Sequence, residues 1–366
     1  MTDRSSDTVP VPRGTRTARH GAERVSAERV RDVVSDAVNN AGAGVLGAGE
    51  VLHGGGMTPI AEEAARAARA LHPEHHRMPR PARRRIITVA NQKGGVGKTT
   101  STVNLAAALA LHGSRVLVVD LDPQGNASTA LGVEHRSGTA SVYEVLLGEM
   151  TLDEVAVVCE RSSDLLCVPA TIDLAGSEIE LVSMLNRESR LKQALRDEVL
   201  DRLDVDYVLI DCPPSLGLLT LNAMVAAPEV LIPIQCEYYA LEGLSQLLNN
   251  IGLVQSHLNP GLHVSTILLT MYDGRTKLAD QVTHEVRDHF GDLALRTVIP
   301  RSVKVSEAPG FGQTVLTYDP GSRGAMSYLD AAREIAVRGA ATEDAPETAD
   351  ARIAGHEVAR TTGDRR

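Results

Sequence analysis

Lys93-Gly94-Gly95-Val96-Gly97-Lys98-Thr99-Thr100 follows directly on an aliphatic run at 86–90 and opens a helical pattern at 99–112. Glycines let a backbone wrap an anion with its N–H groups pointing inward, and the helix behind them presents the positive end of its dipole. In such a loop Lys98 reaches the β- and γ-phosphates of a nucleotide, and Thr99 offers its hydroxyl to Mg²⁺. Gly94, Gly95, Val96, Gly97 and Thr100 complete the expected ATP-binding loop. The bland alternative is a glycine-rich turn with no ligand. A strand in front and a helix behind argue against it.

Outward from the loop the same texture repeats. Aliphatic runs at 115–120, 165–168, 207–211, 230–234 and 264–270 alternate with helical patterns at 189–200, 241–258 and 279–290. Strand and helix in alternation predict a doubly wound α/β fold, a mostly parallel sheet flanked by helices, with its ligand site beyond the carboxyl ends of the strands. Two aspartates close such strands and run into polar turns. Asp120 opens Asp120-Leu121-Asp122-Pro123-Gln124-Gly125-Asn126, and Asp211 opens Asp211-Cys212-Pro213-Pro214-Ser215-Leu216-Gly217. Asp211 reads as the aspartate that holds the metal, through water. Asp120 and Asp122 could instead merely cap the next turn.

The usual GxxxxGK(S/T) spacing is not met, because Gln92 stands at its first glycine position, and an extra lysine, Lys93, begins the loop. That arrangement resembles the deviant Walker A group of P-loop NTPases. The blocks KGGVGKTT, DLDPQGNAS and LIDCPPSLG, in order, resemble the chromosomal ParA-type partition ATPases within the ParA/MinD superfamily. So do Met271-Tyr272-Asp273-Gly274-Arg275-Thr276 and the stretch 299–309. The resemblance covers about 85–338 and neither end of the chain.

What it implies is specific. Lys93 crosses a homodimer interface to the partner's nucleotide and, with Asp122 orienting the attacking water, is catalytic. Thr99, Asp120 and Asp211 serve Mg²⁺, and Pro300 approaches the adenine. A cation brought to transferring phosphate oxygens stabilises developing charge, as an arginine finger does. The implied activity is slow ATP hydrolysis, stimulated by a ParB-type centromere-binding partner. The implied setting is cytoplasmic and nucleoid-associated, with the ATP dimer bound to DNA without sequence preference through Arg275 and Lys304. Arg301, Lys277 and Arg323 could extend that patch. The other reading is the same ATPase positioning a protein cluster over the nucleoid.

Composition supports this class and sets one tension. Of 366 residues 43% are hydrophobic, but only 2% are aromatic, so Val, Leu, Ile and Ala must build the core. No apolar run reaches the length of a membrane span, and the last segment lacks the apolar face of a membrane-cycling relative. Cys159, Cys167, Cys212 and Cys236 have neither metal nor cluster-bridging spacing, and are expected to be reduced and structural. Residues 1–85 carry 14 Arg, no Lys and 10 acidic residues, and residues 338–366 carry 5 Arg and 6 acidic ones, which leaves the middle at −13 within a total of −10. An acidic body is a poor ligand for DNA, so binding requires a local basic patch. Residues 1–85 are expected to be a largely disordered extension, with Met57 and Met78 as alternative starts. Residues 86–338 form the ATPase domain, and 339–366 a disordered tail.

Overall fold

The computed structural model of the chain describes residues 77–237 and 240–341. The extension and tail expected at either end lie outside the described residues, apart from 77–85 and 339–341.

Eight strands form one sheet: β1 Arg85–Val89, β2 Val116–Asp120, β3 Val157–Val158, β4 Leu165–Val168, β5 Tyr207–Asp211, β6 Glu229–Gln235, β7 His263–Tyr272 and β8 Ala294–Pro300. Their order is β3-β4-β2-β5-β1-β6-β7-β8. All pairs are parallel except β3 with β4. Six described helices reach nine residues: α1 Lys98–Leu111, α2 Leu174–Val182, α3 Leu218–Ala226, α4 Ala240–His257, α5 Lys277–Phe290 and α6 Arg323–Ala340. The doubly wound sheet expected from the sequence is present.

The strands read as unbroken aliphatic runs because both faces are covered, as burial throughout β2 and β5 shows. Alternate side chains serve two cores. Leu117, Val119, Val208 and Ile210 pack with Leu174 and Leu181 of α2, Ala223 of α3, Leu247 of α4 and Val286 of α5. Val116, Val118 and Leu209 pack with Leu105 and Leu109 of α1 and Tyr328 and Ile335 of α6. Alanines at 106, 107, 108 and 110 of α1 and at 331, 332 and 336 of α6 let these two helices share that face. A chain with two Phe and no Trp thereby fills its core with aliphatic side chains.

Several expected boundaries move. Arg85 belongs to β1, and the folded domain starts no later than 77. Met78 is buried, and its N–H donates to the His112 carbonyl at 3.0 Å. Arg84 pairs with Asp201 at 2.6 Å, and Arg85 lies against Glu229 at 2.9 and 2.5 Å with both side chains 12% exposed. Low aliphatic content assigns these residues to the extension, but they attach through arginine chemistry. At the other end α6 continues to Ala340. The helix expected over 189–200 is interrupted: one helix ends at Ala194, Arg196 is extended (ψ 151°), and a second begins at Asp197.

Candidate functional site

The centre of the sheet places the loop. β1 lies between β5 and β6, where the strand order reverses, so its carboxyl end opens a crevice beside the end of β5 and, one strand further, that of β2. The loop from Asn91 to Gly97 occupies that crevice. Gly95 (φ 73°) and Gly97 (φ 87°) take left-handed backbone, which a side chain would strain. A Cβ at Gly94 or Gly95 would meet nothing within 4 Å, so the cradle faces open space.

Two polar side chains absent from the sequence reading fix the loop. Asn91 Oδ1 accepts from the Lys93 N–H at 3.0 Å, while its Nδ2 donates to the Pro233 carbonyl at 2.8 Å, tying the loop to β6. The Thr270 hydroxyl donates to the Val96 carbonyl at 2.8 Å from β7. Neither residue belongs to the phosphate-loop pattern. Asn91, immediately after the strand, was the only visible signal.

Lys98 is buried in the crevice and its Nζ donates to the Lys93 carbonyl at 3.4 Å. Burial lowers its pKa, and Asp211, Cys212 and Asp122 oppose that shift. Asp120 and Asp211 sit side by side in register on β2 and β5, both fully buried. Burial raises the pKa of each carboxyl, and in Asp211 the Asp120 charge adds to it, against the Thr99 and Thr102 hydroxyls. Thr102 donates to Asp211 Oδ1 at 3.1 Å, whereas Asp211 Oδ2 has no partner.

Asp120 is differently employed. Its Oδ2 accepts from the Ser128 N–H and hydroxyl at 2.8 and 2.7 Å, and its Oδ1 accepts from the Asp122 N–H at 3.2 Å. Asp120 therefore shapes the loop that carries Asp122, and what it offers a cation is chiefly its charge. Asp122 is buried and accepts from the Gln124 N–H at 3.0 Å.

An orphaned carboxylate oxygen, a neighbouring threonine hydroxyl and a second buried carboxylate fit a hard cation. Among the described residues no three His, Cys, Asp or Glu form a ready-made ligand set. Mg²⁺ is commonly held by one or two carboxylates together with water and phosphate oxygens.

Of the other expected residues, Lys93 stands at the mouth of the loop, exposed, with Nζ 2.9 Å from Glu237 Oε2 of the same chain. Pro300 ends β8 in register with Tyr272 of β7, which sets the segments carrying Arg275 and Lys304 side by side. Both are already paired: Arg275 Nε and Nη2 donate to Asp273 at 2.8 Å each, and Lys304 lies 3.2 Å from Glu307. Arg275 holds the Asp273 carboxyl down to about 2. Arg301, Lys277 and Arg323 are exposed around them. All four cysteines are buried free thiols, and no described helix is long and apolar enough to cross a membrane.

A central parallel sheet, a glycine loop opening α1, and lysines at both ends of that loop define a P-loop NTPase of the deviant Walker A type. Comparison with known proteins narrows the class. A family profile described as an AAA domain matches residues 84–264. The sporulation initiation inhibitor protein Soj of Bacillus subtilis is 53% identical over 255 residues, covering 70% of this chain and 99% of that protein. The chromosome partitioning protein ParA of Myxococcus xanthus is 50% identical, covering 74% and 92%. The chain belongs to the ParA/Soj family of chromosome-partitioning ATPases.

Solved structures agree on the fold. One described as cobyrinic acid a,c-diamide synthase from Mycobacterium smegmatis, with bound ATP analog and magnesium, is 41% identical with a TM-score of 0.57, covering 68% of this chain and 93% of that one. A complex of Cyanothece McdA with ATP, 20% identical with a TM-score of 0.60 and covering 70% and 96%, shares the fold.

Proposed function

We propose that this chain is an ATP-dependent DNA-partition switch: ATP closes a homodimer that binds DNA without sequence preference, and partner-stimulated hydrolysis releases it. The observation that carries this reading is the pair of loop lysines. Lys98 is buried where phosphates would lie, while the Lys93 ammonium is exposed at the mouth, where it meets Glu237 rather than the phosphate cradle of its own crevice. A second cation there is placed to meet a nucleotide brought against it from outside.

In this reading the amides of 94–99 and the end of α1 cradle the phosphates. Lys98 holds the β- and γ-phosphates as a point charge, and Pro300 borders the base. Thr99 and Asp211 would hold Mg²⁺, whose contribution when bound is to neutralise phosphate charge. Asp122 orients the attacking water. Basal turnover is slow because the closed dimer awaits its stimulating partner. Arg275 and Lys304 exchange their internal carboxylates for DNA phosphates, and a ParB-type centromere-binding protein is the stimulating partner. The setting is the cytoplasm, on the nucleoid. A sibling reading, in which the same cycle positions a protein cluster, shares every step but the cargo.

The cobyrinic acid amidation named for the Mycobacterium smegmatis structure is a second reading. Amidation from glutamine requires a reactive thiolate to release ammonia. All four thiols here are buried, and burial raises each pKa, Cys159 to about 12. The partition reading needs no such group.

The test is DNA binding against nucleotide state. Retention on duplex DNA is expected with ATP and Mg²⁺ and not with ADP or without nucleotide. Equal retention in all three states overturns the switch.

A further inference from the structure

Outside glycine, left-handed backbone occurs at three described residues: Asn186, Asp204 and Met271. Asparagine and aspartate tolerate it, because their short polar side chains hydrogen-bond locally. Methionine has no such compensation. Asn186 and Asp204 flank helices, whereas Met271 (φ 52°) lies inside β7. The strand carries an extra residue there. Leu269 stands opposite Val298 and Tyr272 opposite Pro300, so three steps along β7 match two along β8. Such a bulge bends a strand and re-aims its side chains, and strained backbone persists only where its surroundings impose it.

Met271 joins two parts of the site. On one side Thr270 is buried, and its hydroxyl holds the Val96 carbonyl of the phosphate loop at 2.8 Å. A Cβ at Gly97 would lie 3.8 Å from Thr270 Cγ2, so this threonine also packs on the last glycine of the loop. On the other side the Tyr272 carbonyl accepts from the Arg301 N–H at 3.0 Å, which ties β7 to the segment leading to Lys304. The turn beyond is locked on itself. The Asp273 carboxylate accepts from the Arg275 N–H and guanidinium, its carbonyl accepts from Thr276, and Thr276 caps α5. One residue, Met271, separates this locked turn and Tyr272 from the threonine that supports the phosphate loop.

We propose that Met271 is a positioning residue: its left-handed backbone sets the Arg275 turn beside Lys304 in the arrangement that the filled phosphate loop dictates through Thr270. The inference deepens the partition reading and rests on it for what Arg275 and Lys304 bind. Phosphates order the loop at Val96 and Gly97, Thr270 follows the Val96 carbonyl, and the bulge passes that constraint to Tyr272. Regular strand backbone at 271 would remove the extra residue. Tyr272 would then leave its register with Pro300, and the side chains after it would change face.

The test replaces Met271 in the full chain by asparagine, which accepts left-handed backbone, and by valine, which resists it. In a regular strand valine is the better residue. Here the order reverses, and Met271→Asn should melt above Met271→Val. Duplex DNA affinity is measured at saturating ATP and Mg²⁺. Met271→Val should bind about tenfold more weakly than the native chain, the scale of one residue's left-handed cost, and Met271→Asn within about twofold of it. Amide exchange over 271–276 is followed with ADP and Mg²⁺, which fill the loop without the γ-phosphate that closes the proposed dimer. Exchange should slow in the native chain and in Met271→Asn, and not in Met271→Val. Should Met271→Val fail to fold, Met271→Ala carries the same comparisons with a smaller loss.

The assignment is overturned if Met271→Val melts above Met271→Asn, binds DNA like the native chain or keeps the exchange response. It is also overturned if exchange in the native chain ignores ADP. Equal loss of DNA affinity in both variants would make the side chain responsible and not the backbone, which overturns it too. If the native chain binds no DNA in ATP, the partition reading fails, while the melts and the exchange still decide the role of Met271.

Discussion

Lys93 Nζ lies 2.9 Å from Glu237 Oε2, so the lysine that would reach a second subunit is held by a carboxylate of its own. Both side chains are close to half exposed, and such a pair is worth about 0.2–1 kcal/mol. In the proposed cycle the contact would act as a latch that a dimer interface breaks cheaply. Glu237→Gln is expected to favour the ATP-bound dimer up to about fivefold for each of its two latches, which is the same energy written as an equilibrium constant. Sedimentation with a slowly hydrolysed ATP analogue measures it. An unchanged or weaker dimer would remove Glu237 as a restraint on Lys93.

The two loop lysines should separate in the same experiment. Lys98→Ala is expected to abolish ATP binding, because the phosphates lose their buried point charge. Lys93→Ala should leave nucleotide affinity of the monomer within about twofold, the scale of an exposed charge, and block dimerisation. A Lys93→Ala chain that dimerises normally refutes the cross-subunit role. Asp122→Ala should sediment as a dimer with ATP itself and turn over negligibly, since it removes water orientation and spares the phosphate contacts.

Asp211 should trade stability for function. Its unpartnered Oδ2 is buried beside Asp120, an arrangement that favours a cation when one is bound and costs free energy otherwise. Asp211→Asn is expected to stabilise the nucleotide-free chain by about 1 kcal/mol, a rise in Tm of roughly 2–4 °C for a domain of this size. The same variant should lose the stabilisation that ATP and Mg²⁺ give the native chain. A nucleotide-free melt that falls instead would make Asp211 a structural residue.

Truncation tests the boundary that the structure moved. Removing 1–76 leaves both described cores whole, and the melt and ATPase activity should match the full chain. Removing 1–85 also takes Met78 and Arg85 and strands Glu229 in a largely buried site. Breaking one side of such a pair costs about 3–5 kcal/mol, and Arg85→Ala alone should show most of that loss. Equal melts for the two truncations would return 77–85 to the extension.

What could be read in advance follows a physical division. The loop from Lys93 to Thr100 and the strands ending in Asp120 and Asp211 are legible because glycine conformations, aliphatic runs and helix starts are local in sequence. Strand β5 and its terminal Asp211 fall where the pattern puts them. Strand β8 escapes the pattern because Arg296 and Thr297 interrupt its aliphatic run at the sheet edge. Helix α6 escapes it because alanine and glycine make up six of the nine residues on its buried face. Asn91, Thr270 and Glu237 act through partners far along the chain, and no spacing announces them.

DNA binding is where charge and family pull apart, and the structure shifts the balance. The expected arm, 1–85, carries +4, but five of its arginines (Arg77, Arg80, Arg83, Arg84 and Arg85) fall in 77–85. Of these, Arg80, Arg84 and Arg85 already meet Asp206, Asp201 and Glu229. Residues 1–76 then hold nine arginines against ten acids, so they offer duplex phosphates no net attraction. The remaining candidates are Arg275 and Lys304, each bound to a carboxylate three or fewer residues away, with Arg301, Lys277 and Arg323 exposed around them, in a domain that is acidic overall. A monomer making so few contacts should bind poorly, whereas an ATP dimer doubles them. Arg275→Glu and Lys304→Glu should each weaken binding in ATP and leave ATP-dependent dimerisation intact. Each removes one phosphate contact per subunit, so the slope of log affinity against log salt should flatten by about two for the dimer. The same titration on a chain lacking 1–76 should match the full chain. If that truncation abolishes binding while both charge reversals leave the slope unchanged, the phosphate contacts lie upstream of residue 77 and not at the ends of β7 and β8.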